Sequence, residues 1–240
     1  MLERLLSIER ELFLMLNNFH TAFLDNALWL YTGMSVWIPF IIFFLAALVY
    51  GKPRREWGPI LVALIAVVLI GHLFVAGIFK PYFARLRPVF HPDFMNDVKT
   101  IGSYTGGGLY GFISGHSTFA FGFAMFTSLL FRYKPYTIVV FLWALIMVYS
   151  RIYFGVHFLS DVVAGTIMGL IIGVGVYYLY ELYIDRVLYK KRSKIILPGN
   201  LYSHYRKRLI TYTFAGYVAF FVLFSKQIVH LTTSLPPNTP

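Results

Sequence analysis

The sequence predicts an all-α integral membrane protein, with six transmembrane helices preceded by an N-terminal amphipathic helix at the membrane interface. Three observations carry that prediction. Of 240 residues, 58% are hydrophobic and only 13% charged, whereas soluble domains run at about 25% charged. A soluble fold of this size could not cover its exterior with so few charges. The charges are also spaced so that apolar stretches approaching the ~20 residues of a membrane crossing lie between them. Lastly, the basic residues divide unequally between loops that successive crossings place on opposite faces. The net charge of +11 by itself suggests nucleic acid, but that footprint needs a solvated polar surface, so no nucleic-acid partner is expected. Twenty-four Phe and 18 Tyr exclude disorder. The absence of cysteine excludes disulfides and thiolate chemistry.

The elements follow in order. In residues 1–20, Leu2, Leu5, Leu6, Ile8, Leu12, Phe13 and Leu16 recur at helical spacing between Glu3, Arg4, Arg10 and Glu11. That pattern fits a helix lying in the interface or packed on the protein's own rim. Spans are then expected in Asn26–Gly51, Trp57–Phe79, Ser117–Phe131 with an uncharged lead-in from Phe112, the Lys134–Arg151 interval, the Asp161–Glu181 interval, and residues 209–228. The chain reads as one membrane domain, 1–240, in which 57–181 is the catalytic core and 182–208 a basic cytoplasmic segment.

Parity sets the sidedness. The loops at 52–56, 132–134 and 182–208 share one face and collect thirteen of the 21 basic residues, so that face is expected to be cytoplasmic. Both termini and the 80–113 loop are then expected outside. Gly165, Gly169 and Gly173 recur every four residues in the fifth span, a spacing that lets helices approach closely in lipid.

Ionisable residues at membrane depth are costly and usually mark function. Here they fall in three islands, all on the outer face by parity. Lys80 and Arg87 bracket the first, followed by Pro88; seven apart, they share a helix face, although Pro81 weakens a helical reading. Arg85 points elsewhere on such a helix and reads as rim. Ser114-Gly115-His116 forms the second, where a serine cap leaves backbone N–H groups free to bind phosphate oxygens. Ser150-Arg151 with His157 and Asp161 forms the third, and the i, i+4 spacing pairs imidazole with carboxylate. Taken singly, each has a plain structural reading: a headgroup-binding segment, a helix cap, a packing His–Asp bond. Together they put three cations, a cluster of backbone donors, two histidines and a carboxylate on one membrane face. Cations and N–H donors suit a phosphoryl group, and two histidines can divide nucleophilic and acid duties. A metal site is less suited, since Asp161 is the sole carboxylate among three repelling cations; Asp93 and Asp97 are weak further candidates.

The islands resemble the signature of the type 2 phosphatidic acid phosphatase (PAP2) superfamily, which includes the vanadium haloperoxidases and glucose-6-phosphatase. Lys80 with Arg87-Pro88 matches the first block and Ser150-Arg151, His157 and Asp161 the third. Ser114, Gly115 and His116 match the second, but Ile113 stands where the family has proline, whose ring stiffens that entry. The resemblance covers roughly 57–181 and implies a PAP2/haloperoxidase-like helical core. It implies that Lys80, Arg87 and Arg151 hold phosphate oxygens with Ser114 and the Gly115 N–H. His157 would be the nucleophile, Asp161 its orienting partner and His116 the general acid, with no metal or other cofactor. His72 matches no block and reads as a packing residue. The expected activity is a lipid phosphatase in the cytoplasmic membrane with its site facing the periplasm or exterior. The expected substrates are undecaprenyl diphosphate or a lipid A phosphate first, then phosphatidylglycerol phosphate or phosphatidic acid. A lipid phosphotransferase sharing the intermediate and a lipid-phosphate or anion transporter are the alternatives.

Overall fold

With no water in a bilayer to satisfy backbone N–H and C=O groups, charge-free runs persist there as helices. In the computed structural model, which describes residues 2–188 and 201–232, helices supply nearly all the regular structure. Lys190, Lys191, Arg192 and Lys194 of the expected cytoplasmic segment lie outside the described residues.

Helix α1 (Leu2–Asn17) packs on the bundle through Phe13, which is fully buried against Phe94, Ile152, Phe158 and Val162, while Leu6, Ile8, Leu12 and Met15 remain exposed. It is therefore docked on the protein's rim with apolar side chains still turned outward. The first expected span is broken: α2 (Ala22–Thr32) and α3 (Met34–Val49) meet at Gly33 with a bend of 52°. A break at this depth frees backbone carbonyls, and the buried indole of Trp37 takes up that of Tyr31 at 2.7 Å.

Helix α4 (Arg54–His72) continues through a π-helical stretch, Leu73–Phe79, into α5 (Lys80–Phe83), giving an apolar helix of 30 residues. It stops at Ala84, which takes a left-handed conformation with φ +43°. Helix α6 (Gly115–Phe131) begins at the Ser114 cap, α7 spans Lys134–Tyr153, and α8 spans Leu159–Tyr183. Beyond the undescribed segment come α9 (His204–Leu223) and the short α10 (Ser225–Thr232).

Among the described residues, three helices are long and apolar enough to cross a membrane, and four if the bent α2–α3 pair is one crossing. The six expected spans are thus not all matched. Helix α6 has 17 residues, about 25 Å at 1.5 Å per residue, short of a hydrocarbon core of about 30 Å. Helix α9 opens on Arg206, Lys207 and Arg208, which leave a short apolar remainder.

Helix α6 is the hub, packing most extensively on α8 and then on α7 and α4. Its seam with α8 is the glycine stripe: a Cβ at Gly165 would stand 2.5 Å from the Ser114 carbonyl oxygen, and one at Gly173 2.6 Å from that of Gly122. The opposite face of α8 exposes Val163, Ile167 and Ile171, and α4 with its π-helical continuation exposes Val62, Ile65, Leu69 and Leu73. Apolar side chains on the outside with small residues between helices are the pattern of a bundle solvated by lipid.

Candidate active site

Four segments converge on one cavity of about 390 Å³: the α4–α5 helix, the glycine-rich loop before α6, the start of α6, and the α7–α8 corner. Its lining includes Lys80, Arg87, Gly115, His116, Arg151 and His157 from all three polar islands. Ser114 and Asp161 are fully buried nearby without lining it. Apolar lining comes from Val68, Gly71, Val75 and Ala76 of the α4–α5 helix and from Phe119.

Lys80 and Arg87 reach the cavity without sharing a helix face. The helix ends at Phe83, and an extended stretch brings Arg87 in, held by hydrogen bonds from the Arg87 N–H to the Leu109 carbonyl (3.0 Å) and from the Gly111 N–H to that of Arg85 (2.8 Å). The Arg87 guanidinium then donates to the carbonyls of Gly107, Gly108 and Val156 and to Nε2 of His157 at 3.1 Å. A Cβ at Gly106, where φ is +77°, would lie 3.0 Å from Arg87 Nη1, so this loop needs glycine on two counts.

That contact fixes the state of His157. A guanidinium can only donate, so Nε2 is the acceptor and the ring proton sits on Nδ1. Nδ1 faces Asp161 Oδ2 at 3.4 Å, an ion-pair distance rather than a well-aligned hydrogen bond. Such contacts at active sites tighten when substrate binds. Burial pushes the His157 imidazole down to about 4, with Asp161 opposing that shift, so the ring is neutral at pH 7 with its Nε2 lone pair on the Arg87 guanidinium at the cavity lining.

Arg151 is almost wholly buried at the end of α7. Its Nε donates to Ser150 Oγ (3.0 Å), and Nη1 reaches the Tyr104 hydroxyl (3.3 Å) and His116 Nε2 (3.4 Å). Its Nη2 is buried with no partner among the described residues. Buried donors rarely go unpaired, and this one belongs to a residue that lines the cavity. Ser114 caps α6 by accepting from the Ser117 N–H, and its own N–H donates to the Asp161 carbonyl at 3.0 Å. This backbone link, with those at Arg87 and Gly111, holds the entry to α6 where the resembled signature uses proline; Ile113 itself is buried.

Two expectations need correction. Arg85 is no rim residue: Nη1 donates to Asp161 Oδ1 at 2.9 Å and Nη2 to Glu9 Oε2 at 2.8 Å. His72 lines the cavity beside Gly71 and Val75 instead of packing in the interior. Tyr104 and Glu9 went unnoticed from sequence, since each acts across dozens of positions with no local motif. Asp93 pairs with Arg10 at 3.4 Å, outside this cavity.

A helical membrane bundle holding cations and two histidines around a cavity beside an apolar wall has the parts of a membrane phosphatase. Residues 56–185 match the PAP2 superfamily, and the chain belongs to that superfamily as a phosphoric monoester hydrolase. It is 40% identical over 231 residues to a lipid A 4'-phosphatase of Porphyromonas gingivalis, covering 96% of each chain. It is 29% identical over 213 residues to a lipid A 4'-phosphatase of Bacteroides thetaiotaomicron, covering 89% of this chain and 93% of that one. The crystal structure of LpxE from Aquifex aeolicus superimposes with a TM-score of 0.53 at 28% identity, covering 70% of this chain and 93% of that one. A PAP2-type phosphatidylglycerolphosphate phosphatase from Bacillus subtilis shares the fold at TM-score 0.56 and 21% identity, covering 80% and 90%.

Proposed function

We propose that the protein removes the 4'-phosphate of a lipid A-type glycolipid through a phosphohistidine on His157. The carrying observation is the unpartnered Nη2 of Arg151, a buried donor in the cavity lining with His157 and His116. A phosphate oxygen would satisfy it, and among the described residues no group does. The lipid class is supported by likeness to the Porphyromonas gingivalis lipid A 4'-phosphatase over 96% of the chain, which takes in α1–α3 and α9 beyond the family core.

In this reading Lys80, Arg87 and Arg151 hold the equatorial oxygens with the Gly115 N–H, while Ser114 fixes the helix start. Nε2 of His157 attacks phosphorus, forming the N–P bond as the bond to the sugar oxygen breaks. Asp161 takes the growing positive charge at Nδ1. His116 gives a proton to the leaving oxygen, then removes one from the water that cleaves the N–P bond and frees phosphate. The apolar wall of α4 accommodates the lipid side. We place the site on the outer face of the cytoplasmic membrane with six crossings, α6 and α9 completing the set; the thirteen basic residues of the opposite loops support that orientation.

The test is a phosphate-release panel with the purified protein in detergent against lipid A, undecaprenyl diphosphate, phosphatidylglycerol phosphate and phosphatidic acid. Lipid A is expected to lose its 4'-phosphate fastest, and His157→Ala to abolish release. No release from lipid A, or full turnover by His157→Ala, sinks the reading. A newly phosphorylated acceptor lipid in place of free phosphate redirects it to phosphotransfer.

A further inference from the structure

We propose that Arg85, clamped by Glu9 of the N-terminal helix, is a positioning residue for Asp161, which makes α1 a working part of the active site. The inference rests on the reading that His157 and Asp161 carry the reaction.

Asp161 is fully buried, and its carboxylate has three neighbours: Arg85 Nη1 on Oδ1 at 2.9 Å, the Phe158 N–H on Oδ2 at 2.9 Å, and His157 Nδ1 at 3.4 Å. A carboxylate rotates freely about its last torsion unless both oxygens are tied. The Phe158 N–H ties one and Arg85 the other, and this pair of donors fixes the plane that faces His157. Arg85 is in turn held from three sides. Nη1 also meets Ser160 Oγ, Nη2 donates to Glu9 Oε2 at 2.8 Å, and the guanidinium lies 4.3 Å from the Phe158 ring centre. Glu9 closes the loop by accepting the Ser160 N–H on Oε1 at 2.8 Å. Helix α1 is pinned again at its far end, where the buried Asn17 amide donates to the carbonyls of Lys99, Ile152 and Tyr153.

Arg85 has no place in the phosphate cavity. It lines a second one of about 320 Å³ with Glu9, Arg10, His91 and Phe158. It therefore reaches the chemistry through Asp161. Glu9 matters because the pair Arg85–Asp161 alone would be neutral and would offer little to an imidazolium at His157. With Glu9 the three groups sum to one negative charge, as Asp161 would alone. The charged and titratable groups facing the His157–Asp161 pair are Lys80 of α5, Arg85 and Arg87 after it, His116 of α6, Arg151 of α7 and, through Arg85, Glu9 of α1. Apart from Glu9 and the His116 ring these are cations, so among the described residues the acidic end of this relay has no substitute nearby.

The experiment uses the full-length protein in detergent, bis-phosphorylated lipid A in mixed micelles as probe, and full pH profiles. Arg85→Gln and Glu9→Gln are expected to lower kcat about 10- to 100-fold, the usual effect of losing a group that orients a working side chain. KM stays within about threefold, as for an interaction made outside the substrate. In Arg85→Gln the acid limb of kcat/KM moves to higher pH, because the His157 imidazole accepts a proton more readily once a nearby cation is gone, and Arg85→Lys recovers part of kcat. The double variant falls no further than Arg85→Gln alone, since both act through one contact. Where Arg85→Gln lacks a cooperative thermal transition, the half-buried Glu9→Gln carries the same test. Unchanged kcat and acid limb in both variants, additive losses, or a raised KM at constant kcat would overturn the inference. His157→Ala belongs in the series: its activity would sink the parent reading, whereas a dead His157→Ala beside unaffected Arg85 variants overturns this inference alone.

Discussion

The α6–α8 seam links the bundle's packing to its chemistry, and Gly169→Ala tests that link two turns away from Asp161. A Cβ at Gly169 would stand 2.9 Å from the Gly122 nitrogen and 3.1 Å from the Thr118 carbonyl carbon, with the Thr118 oxygen closer still. All three are backbone atoms, so no rotamer change gives room. Ordinary contact begins at 3.4 Å, so the helices must part by about 0.5 Å or more at this level. Overpacking of this kind costs about 1–3 kcal/mol, against a gain of up to about 1 kcal/mol from replacing a helical glycine. Gly175→Ala on the same helix is the control, because its Cβ meets nothing within 4 Å and takes only that gain. The separation reaches the site along α6, which begins at Ser114, whose N–H is bonded to the Asp161 carbonyl at 3.0 Å. Misplacement by a fraction of an ångström costs about tenfold in kcat, on the scale where 1 Å costs about a hundredfold. The assay pairs phosphate release with thermal unfolding in one detergent. Gly169→Ala should melt about 3–6 °C below Gly175→Ala and turn over about ten times more slowly. If the two alanine variants match in both measurements, the seam is not close-packed and the coupling argument fails.

Three further outcomes follow from the geometry. The buried His157, at about 4 against an ordinary 6.5, refuses a proton that the unfolded chain accepts. Stability is therefore whole above pH 6.5 and falls as pH drops toward 4, by roughly 3 kcal/mol in all at 1.36 kcal/mol per pKa unit; if wild type and His157→Gln lose melting temperature in parallel between pH 7 and 5, that assignment is wrong. Arg151→Lys keeps the charge but loses the fork that serves Ser150, Tyr104 and the unpaired Nη2 direction. It should lower kcat/KM by about 10²–10³ with little change in melting temperature, and a variant near wild-type activity would show that a point charge suffices. Asn17→Ala takes the partner from both the carbonyl and the N–H of Lys99 and removes one donor from the carbonyls of Ile152, which keeps the Gly155 N–H, and Tyr153, which keeps the His20 ring. It should cost about 2–4 kcal/mol, or about 5–10 °C; a shift under about 2 °C would mean that α1 is not anchored there.

Much of the site was legible because its groups are costly where they stand. Charges are so scarce in this chain that Lys80, Arg87, Arg151 and Asp161 stand out against apolar surroundings, and the structure brings the three islands to one cavity. The glycine stripe was legible for the same kind of reason, since only a close crossing rewards small residues at every fourth position. Span counting from charge gaps was weaker. A gap measures how long a run avoids water and carries no record of a bend, so the break at Gly33 inside Asn26–Gly51 left no mark. Nor does it record that α6 is short and surrounded by its neighbours.

Arg85 was missed for a reason located at a single residue. Two positions apart on a helix, Arg85 and Arg87 must diverge, and a helical reading of 80–87 therefore sends one of them to the rim. Ala84 ends the helix in the left-handed region at φ +43°, a conformation that costs a non-glycine residue about 1–2 kcal/mol and that no local pattern announces. After it the chain is extended, and Leu86 forms an isolated bridge with Tyr110. Residues two apart on an extended strand point the same way, so both guanidiniums turn inward, Arg87 to Nε2 of His157 and Arg85 to Oδ1 of Asp161. The two ion pairs that Arg85 makes with Asp161 and Glu9 offset the strain at Ala84. One left-handed alanine thus places two cations on opposite sides of the His157–Asp161 pair, where the helix it interrupts could have delivered one.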